Sequence, residues 1–165
     1  MRRIIRFRAK TIQGYVEAPE NTWVYGYYTE ASCIVESGVP CIQTNVNDYL
    51  VDRNTVGEFI GKTDHTGKDI YEGDIVQMPT YTACGMAMVC DGHENYVITF
   101  DKCCGAFYAE ALHTHDCLSL DELDIEAKII GNIYDNPELL QDISELSTAP
   151  YILEQEYGIH TKEVK

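Results

Sequence analysis

Positive charge is what this sequence has least of. Twelve Lys and Arg residues stand against 27 Asp and Glu in 165 residues, a formal net charge of −15. A grip on nucleic acid rests on Lys and Arg that neutralise phosphates. Bulk electrostatic binding to DNA or RNA is therefore disfavoured, and attraction to an anionic membrane with it. Long apolar runs are missing as well. No stretch of 18 apolar residues occurs, so no spanning helix is expected. The basic first residues are not followed by the apolar segment a signal peptide needs, and a cytoplasmic protein of a bacterial host cell is expected. Also missing are a C-x2-C pair, a Gly-rich phosphate loop, a hydrolase or kinase motif and any internal repeat. The seven cysteines are odd in number, which without a secretion signal reads as reduced thiols.

What is present is ordinary globular composition, 45% hydrophobic and 24% charged. The length suits one domain by the prior of about 150 residues per domain. The basic residues are unevenly placed. Arg2, Arg3, Arg6, Arg8 and Lys10 fall in the first ten positions, and the other 155 residues carry a net −20. Because Ile4, Ile5 and Phe7 are interleaved with them, the segment reads as a basic strand lying against the protein's own acidic body. The rival reading, a nucleic-acid contact through Arg2, Arg3, Arg6 and Arg8, stays as the alternative.

Alternation over residues 3–9 and the aromatic run Trp23–Tyr28 predict an N-terminal hairpin. Weaker strands fall near Cys33–Val35 and Tyr49–Val51. After a turn around Thr66-Gly67-Lys68, five strands are expected: Asp74–Met78, Met86–Cys90, Tyr96–Phe100, Ala106–Leu112 and Glu126–Tyr134. Asp91-Gly92 and Cys104-Gly105 serve as turns between them, and Gly131 marks a bulge in the last. Asn136, Pro137 and Glu138 then open a helix carrying Leu139, Leu140, Ile143 and Leu146 on one stripe. Pro150 ends it, and a second short helix is expected over Tyr151–Tyr157. The fold class is mainly β: a small antiparallel, SH3-like β-barrel with an N-terminal β subdomain and a short C-terminal helix. The divisions are 1–60 for the subdomain, 61–135 for the barrel and 136–165 for helix and tail, within one compact unit.

Reactive clusters are weak. His113, His115 and Cys117 alternate, and on a strand they would share one face with neighbours about 7 Å apart, a spacing open to zinc. Small hydrophobic thiols and ordinary surface histidines explain them as well. Cys104 or Cys117 beside His113 or His115 and Asp101 or Asp116 can be drawn as a nucleophile with a base, but so can many groupings in a chain this rich in cysteine. Asp121, Glu122 and Asp124 read as a solvated acidic run. No catalytic residue, cofactor or metal is assigned, and a non-enzyme is expected.

Several segments together resemble the YopX family: Ile5-Arg6-Phe7-Arg8-Ala9, Trp23-Val24-Tyr25-Gly26, Thr55-Val56-Gly57-Glu58-Phe59, the stretch Asp64–Val76 and, more loosely, Val89–Phe107. The ending from Ile129 to Leu140 is very similar to that family's. The resemblance runs from residue 3 to about 141 and implies a phage or prophage protein of unknown function, β-rich and barrel-like, that forms a homo-oligomer. It supplies no catalytic residues. The partner is then an unidentified protein or other macromolecule, with no membrane involved.

Overall fold

A computed structural model of the chain describes residues 4–12, 19–31, 38–84, 87–112, 116–121, 123 and 126–143. Among the described residues, eleven strands, all paired antiparallel, build two curled sheets that together form a half-barrel. The first sheet contains β1 (Phe7–Lys10), β2 (Trp23–Ala31), β3 (Val39–Gln43), β4 (Asp48–Leu50), β5 (Gly57–Thr63) and β6 (Asp69–Tyr71), in the order β4-β3-β2-β1-β5-β6. The second contains β7 (Asp74–Cys84), β8 (Ala87–Asp101), β9 (Ala106–Ala111), β10 (Cys117–Ser119) and β11 (Lys128–Asn132), in the order β10-β9-β8-β7-β11. The mainly β, antiparallel expectation holds. So does the N-terminal hairpin, in which Lys10 sits opposite Trp23 and Arg8 opposite Tyr25. The strand expected near Cys33–Val35 lies outside the described residues.

The chain crosses between the sheets at Glu72-Gly73. Gly73 adopts φ +81°, a conformation that side chains with a Cβ rarely take. Its N–H donates to the Ile98 carbonyl at 2.8 Å, and its carbonyl accepts from Ile133 N–H at 2.9 Å. The preceding turn is tied down by Asp64. Its carboxylate accepts from the Thr66 hydroxyl at 2.6 Å, from Thr66 N–H at 2.8 Å, from Lys68 N–H at 3.0 Å and from Ile129 N–H on β11 at 3.4 Å. Burial alone would raise the Asp64 pKa, but these donors outweigh it and hold the group at about 2.

Apolar packing falls in three clusters. Ala9, Ile42 and Val51 centre the first sheet. Ile70, Val76, Met78 and Ile98 lie where the sheets meet, and Ile75, Val97, Leu112, Ile133 and Leu140 form the third cluster, joining β7 and β8 to the chain after β11.

Two expectations need correction. Asp91-Gly92 is not a turn, because β8 runs through it. Thr80 pairs with Gly92 but Tyr81 with Cys90, so Asp91 is an extra residue in a β-bulge, and the reversal lies between Cys84 and Ala87. The helix expected from Asn136 is, over its described part, a 3-10 helix at Pro137–Ile143. Asn136 does not cap it with its side chain. Its carboxamide oxygen turns back to Asn132 N–H at 3.3 Å, and only its main-chain carbonyl accepts from Leu139 N–H, at 3.0 Å. That fold-back needs Gly131, where a Cβ would come within 2.6 Å of the Asn136 oxygen, and it accompanies the register shift between Ile129 and Gly131. Leu146 and the second helix expected at Tyr151–Tyr157 lie outside the described residues.

Two outcomes are expected. Leu140, 6% exposed, should cost about 2–5 kcal/mol as Leu140→Ala in urea melts; a loss under about 0.5 kcal/mol, typical of a surface site, would refute its docking. Because Asp64 is depressed when folded, the unfolded chain takes up its proton first as pH falls. The stability from this carboxylate is present above about pH 4 and is lost towards pH 2. Asp64→Asn should flatten that decline in acid melts.

Candidate functional site

Strand β1 alternates, so its residues serve two faces. Phe7 and Ala9 join the first-sheet cluster with Ile42 and Val51. Arg6, Arg8 and Lys10 take the opposite face, and each meets a carboxylate from further along the chain. Arg6 pairs with Asp69 on β6, Arg8 with Asp74 at the start of β7, and Lys10 with Asp135 after β11. Aromatic rings wall the row. Arg6 lies 5.0 Å from the Phe59 ring centre, Arg8 sits 4.6 Å from Trp23 and 5.2 Å from Tyr71, and Lys10 is 5.5 Å from Trp23. Cation–π attraction strengthens when the cation is desolvated, as Arg8 is.

The Arg8–Asp74 pair is the most enclosed of the three. Nη1 lies 2.6 Å from the carboxylate, the two side chains being 5% and 2% exposed. Nη2 donates to the Glu72 carbonyl at 3.2 Å, and Asp74 also accepts from Tyr71 N–H at 2.8 Å. Burial nevertheless pushes the Asp74 pKa up, with Arg8 and the Tyr71 N–H offsetting only part of it. A buried pair of this kind adds little net stability relative to apolar residues of the same shape, yet breaking it leaves an unpaired buried charge. Asp135 is different. Burial raises it, but Lys10, Asn132 at 2.9 Å and the Trp23 indole N–H at 2.7 Å outweigh that, and its pKa falls to about 2.

Two concavities flank the row. A cleft of about 700 Å³ opens beside Lys10, Asp52, Thr55, Ile133 and Tyr134. A cavity of about 200 Å³ is lined by Arg6, Arg8, Tyr25, Lys68, Asp69 and Tyr71.

Of the residues singled out from sequence, Arg6 and Arg8 come together on this face, turned to the protein's own acidic groups. Arg2 and Arg3 lie outside the described residues, as do His113 and His115. Cys117 opens β10 and is exposed. Among the described residues, no group of three or more His, Cys, Asp or Glu side chains is placed to hold a metal, and no helix is long and apolar enough to cross a membrane. The sequence reading missed Asp69, Asp74, Asp135 and Lys68. Nothing in the sequence sets these carboxylates apart from the other acidic residues.

A family model described as YopX protein matches residues 7–141. No curated protein matches the chain. Among solved structures, the crystal structure of protein EF1440 from Enterococcus faecalis is similar, at 22% identity and a TM-score of 0.42, over 83% of this chain and 98% of that one.

The buried pair makes a specific prediction. Arg8→Met alone, or Asp74→Leu alone, should cost about 3–5 kcal/mol in denaturant melts. Arg8→Met combined with Asp74→Leu should cost less than either single change. Additive losses in that cycle would show that Arg8 and Asp74 do not act as a pair.

Proposed function

The chain belongs to the YopX family, whose model spans most of its length, and from that premise we propose that it is a non-enzymatic, oligomeric binding protein of phage or prophage origin that acts on a host or phage macromolecule in the bacterial cytoplasm. The observation that carries this reading is the outer half of the β7–β8 hairpin. β11 pairs with β7 over Asp74–Gln77, and β9 pairs with β8 over Tyr96–Asp101. Beyond those points β7 and β8 pair, among the described strands, with each other alone, out to Cys84 and Ala87. A two-stranded ribbon is marginal in water without a further packing surface, and this one exposes Tyr81, Met88 at 65% and Val89 at 51%.

Charge supports the same reading. Residues 75–90 carry no charged side chain in a chain of net −15. Two copies approaching through their acidic bodies would repel each other; through the uncharged tips of these arms, beyond Asp91, they would repel less. The acidic body would remain free for a partner with a basic surface, through contacts that weaken with salt. The alternative, nucleic-acid binding through the basic strand, has less support, since Arg8 is buried and Arg6 is engaged by Asp69. A metal-dependent enzyme using His113, His115 and Cys117 remains the least supported reading.

Sedimentation equilibrium at micromolar concentration tests the arm. The wild-type chain should exceed its monomer mass of 18.7 kDa, and Met88→Asp with Val89→Asp should return it to that mass with unchanged far-UV circular dichroism. A wild-type monomer, or an oligomer indifferent to both changes, would remove the support the arm gives.

A further inference from the structure

Free cysteine is among the residues most often buried. Of the described cysteines, however, Cys41 alone is buried, and Cys84, Cys90, Cys103, Cys104 and Cys117 are exposed. Two of these are neighbours in sequence, in the turn that joins β8 to β9. On an extended strand adjacent side chains point to opposite faces, and the two thiols would diverge. The turn prevents that. The Gly105 N–H donates to the Asp101 carbonyl at 2.7 Å, with Gly105 at φ +65°, and the Cys103 N–H donates to the Asp101 carboxylate at 2.6 Å. The same carboxylate also accepts from the Cys104 N–H and from both thiols. One acceptor thus gathers both sulfurs on one side of a solvent-exposed turn.

We propose that Cys103 and Cys104 form a peroxide-responsive dithiol that closes to a vicinal disulfide and is reopened by small thiols. The Cys103 thiolate attacks one peroxide oxygen and the O–O bond breaks, giving a sulfenic acid and a hydroxide that takes up a proton as water. The Cys104 sulfur then attacks the Cys103 sulfur. The S–S bond forms, the S–O bond breaks, and the sulfenic oxygen leaves as a second water with the Cys104 proton. Two thiols thereby lose two electrons and two protons, and one peroxide becomes two waters. The order of attack follows from Asp101. Its hydrogen bond and its charge push the Cys104 thiol up, which keeps that sulfur protonated until the Cys103 sulfur is electrophilic. Consecutive Cα atoms lie about 3.8 Å apart, closer than the ~4.4–6.8 Å usual in disulfides. The closed ring is therefore strained and easily reduced, which suits a reversible modification and not a structural staple. Closure also takes both S–H donors from Asp101. The Cys104 thiol and the other three donors hold that carboxyl below its ordinary value, so oxidation should raise it.

Peroxide titration of the reduced full chain tests this. The tryptic peptide that follows Lys102 runs to Lys128 and contains Cys117 as well, so Cys117→Ser protein is used beside the wild-type chain. With equimolar hydrogen peroxide, mass spectrometry of unreduced digests should show this peptide lighter by two hydrogens in both proteins, and glutathione should restore it. Cys104→Ser should lose the closed form and carry Cys103 on to sulfinic acid. The turn's contribution is read from the ratio of closed to sulfinic product under excess peroxide. That ratio should fall by about tenfold in concentrated urea, where the arrangement around Asp101 is lost. No loss of hydrogens in the Cys117→Ser protein, or a bridge to Cys117 in the wild-type chain in place of the Cys103–Cys104 bond, would overturn the dithiol. An unchanged ratio in urea would overturn the part assigned to the turn and leave adjacency alone as the cause.

Discussion

The buried pair between Arg8 and Asp74 is the constraint on which the arrangement of the two sheets depends. Arg8 sits in the middle of the first sheet's central strand, and Asp74 begins the second sheet. Their contact fixes where the chain may cross. Glu72 lends its carbonyl to Arg8, Tyr71 lends its N–H to Asp74, and Gly73 between them adopts the left-handed backbone that lets the crossing be this short. The pair is costly to dehydrate, as the raised Asp74 pKa records, so its contribution is to register more than to net stability. An apolar contact at the same place would hold the sheets together but would tolerate sliding. A guanidinium clamped by a carboxylate, a carbonyl and two rings tolerates very little.

The same logic accounts for the uneven charge. Arg6, Arg8 and Lys10 each neutralise a carboxylate supplied by a different later segment, at positions 69, 74 and 135. Concentrating cations on one strand lets that strand serve as a spine for acidic groups that would otherwise repel across the join. What is left outside has a large acidic excess, apart from the uncharged tip of the arm. Self-repulsion of the body and the neutrality of that tip then restrict how copies of the chain can meet.

The strands were legible where alternation or Gly turns mark them, as in the first hairpin, β7 and the bulge at Gly131. Asp91-Gly92 misled because the same dipeptide chemistry serves a bulge inside a long ribbon and a tight turn at its end. Only the partner strand's register separates the two cases. The helix after Asn136 misled for a related reason. Asn, Pro and Glu are good helix starters, but the Asn136 side chain had a competing use in closing the turn after β11, and local propensity cannot rank one hydrogen bond against another. At the candidate site, the arginines stood out from sequence while their partners did not. Asp69, Asp74 and Asp135 are three among 27 acidic residues, and only the fold tells which of those are buried opposite a cation.

The family match runs from residue 7 to residue 141, and those limits coincide with physical ones. Phe7 is the first residue of β1, and Leu140 is, among the described residues, the last in the cluster that joins β7, β8 and the chain after β11. The matched stretch therefore contains the three described apolar clusters, from the strand that carries the cations to Leu140. Within it, the join between the sheets adds charged and aromatic side chains to the aliphatic contact of Ile70 with Val76, Met78 and Ile98. Aliphatic packing gives the fold its stability, and the polar join gives it one relative placement of its halves.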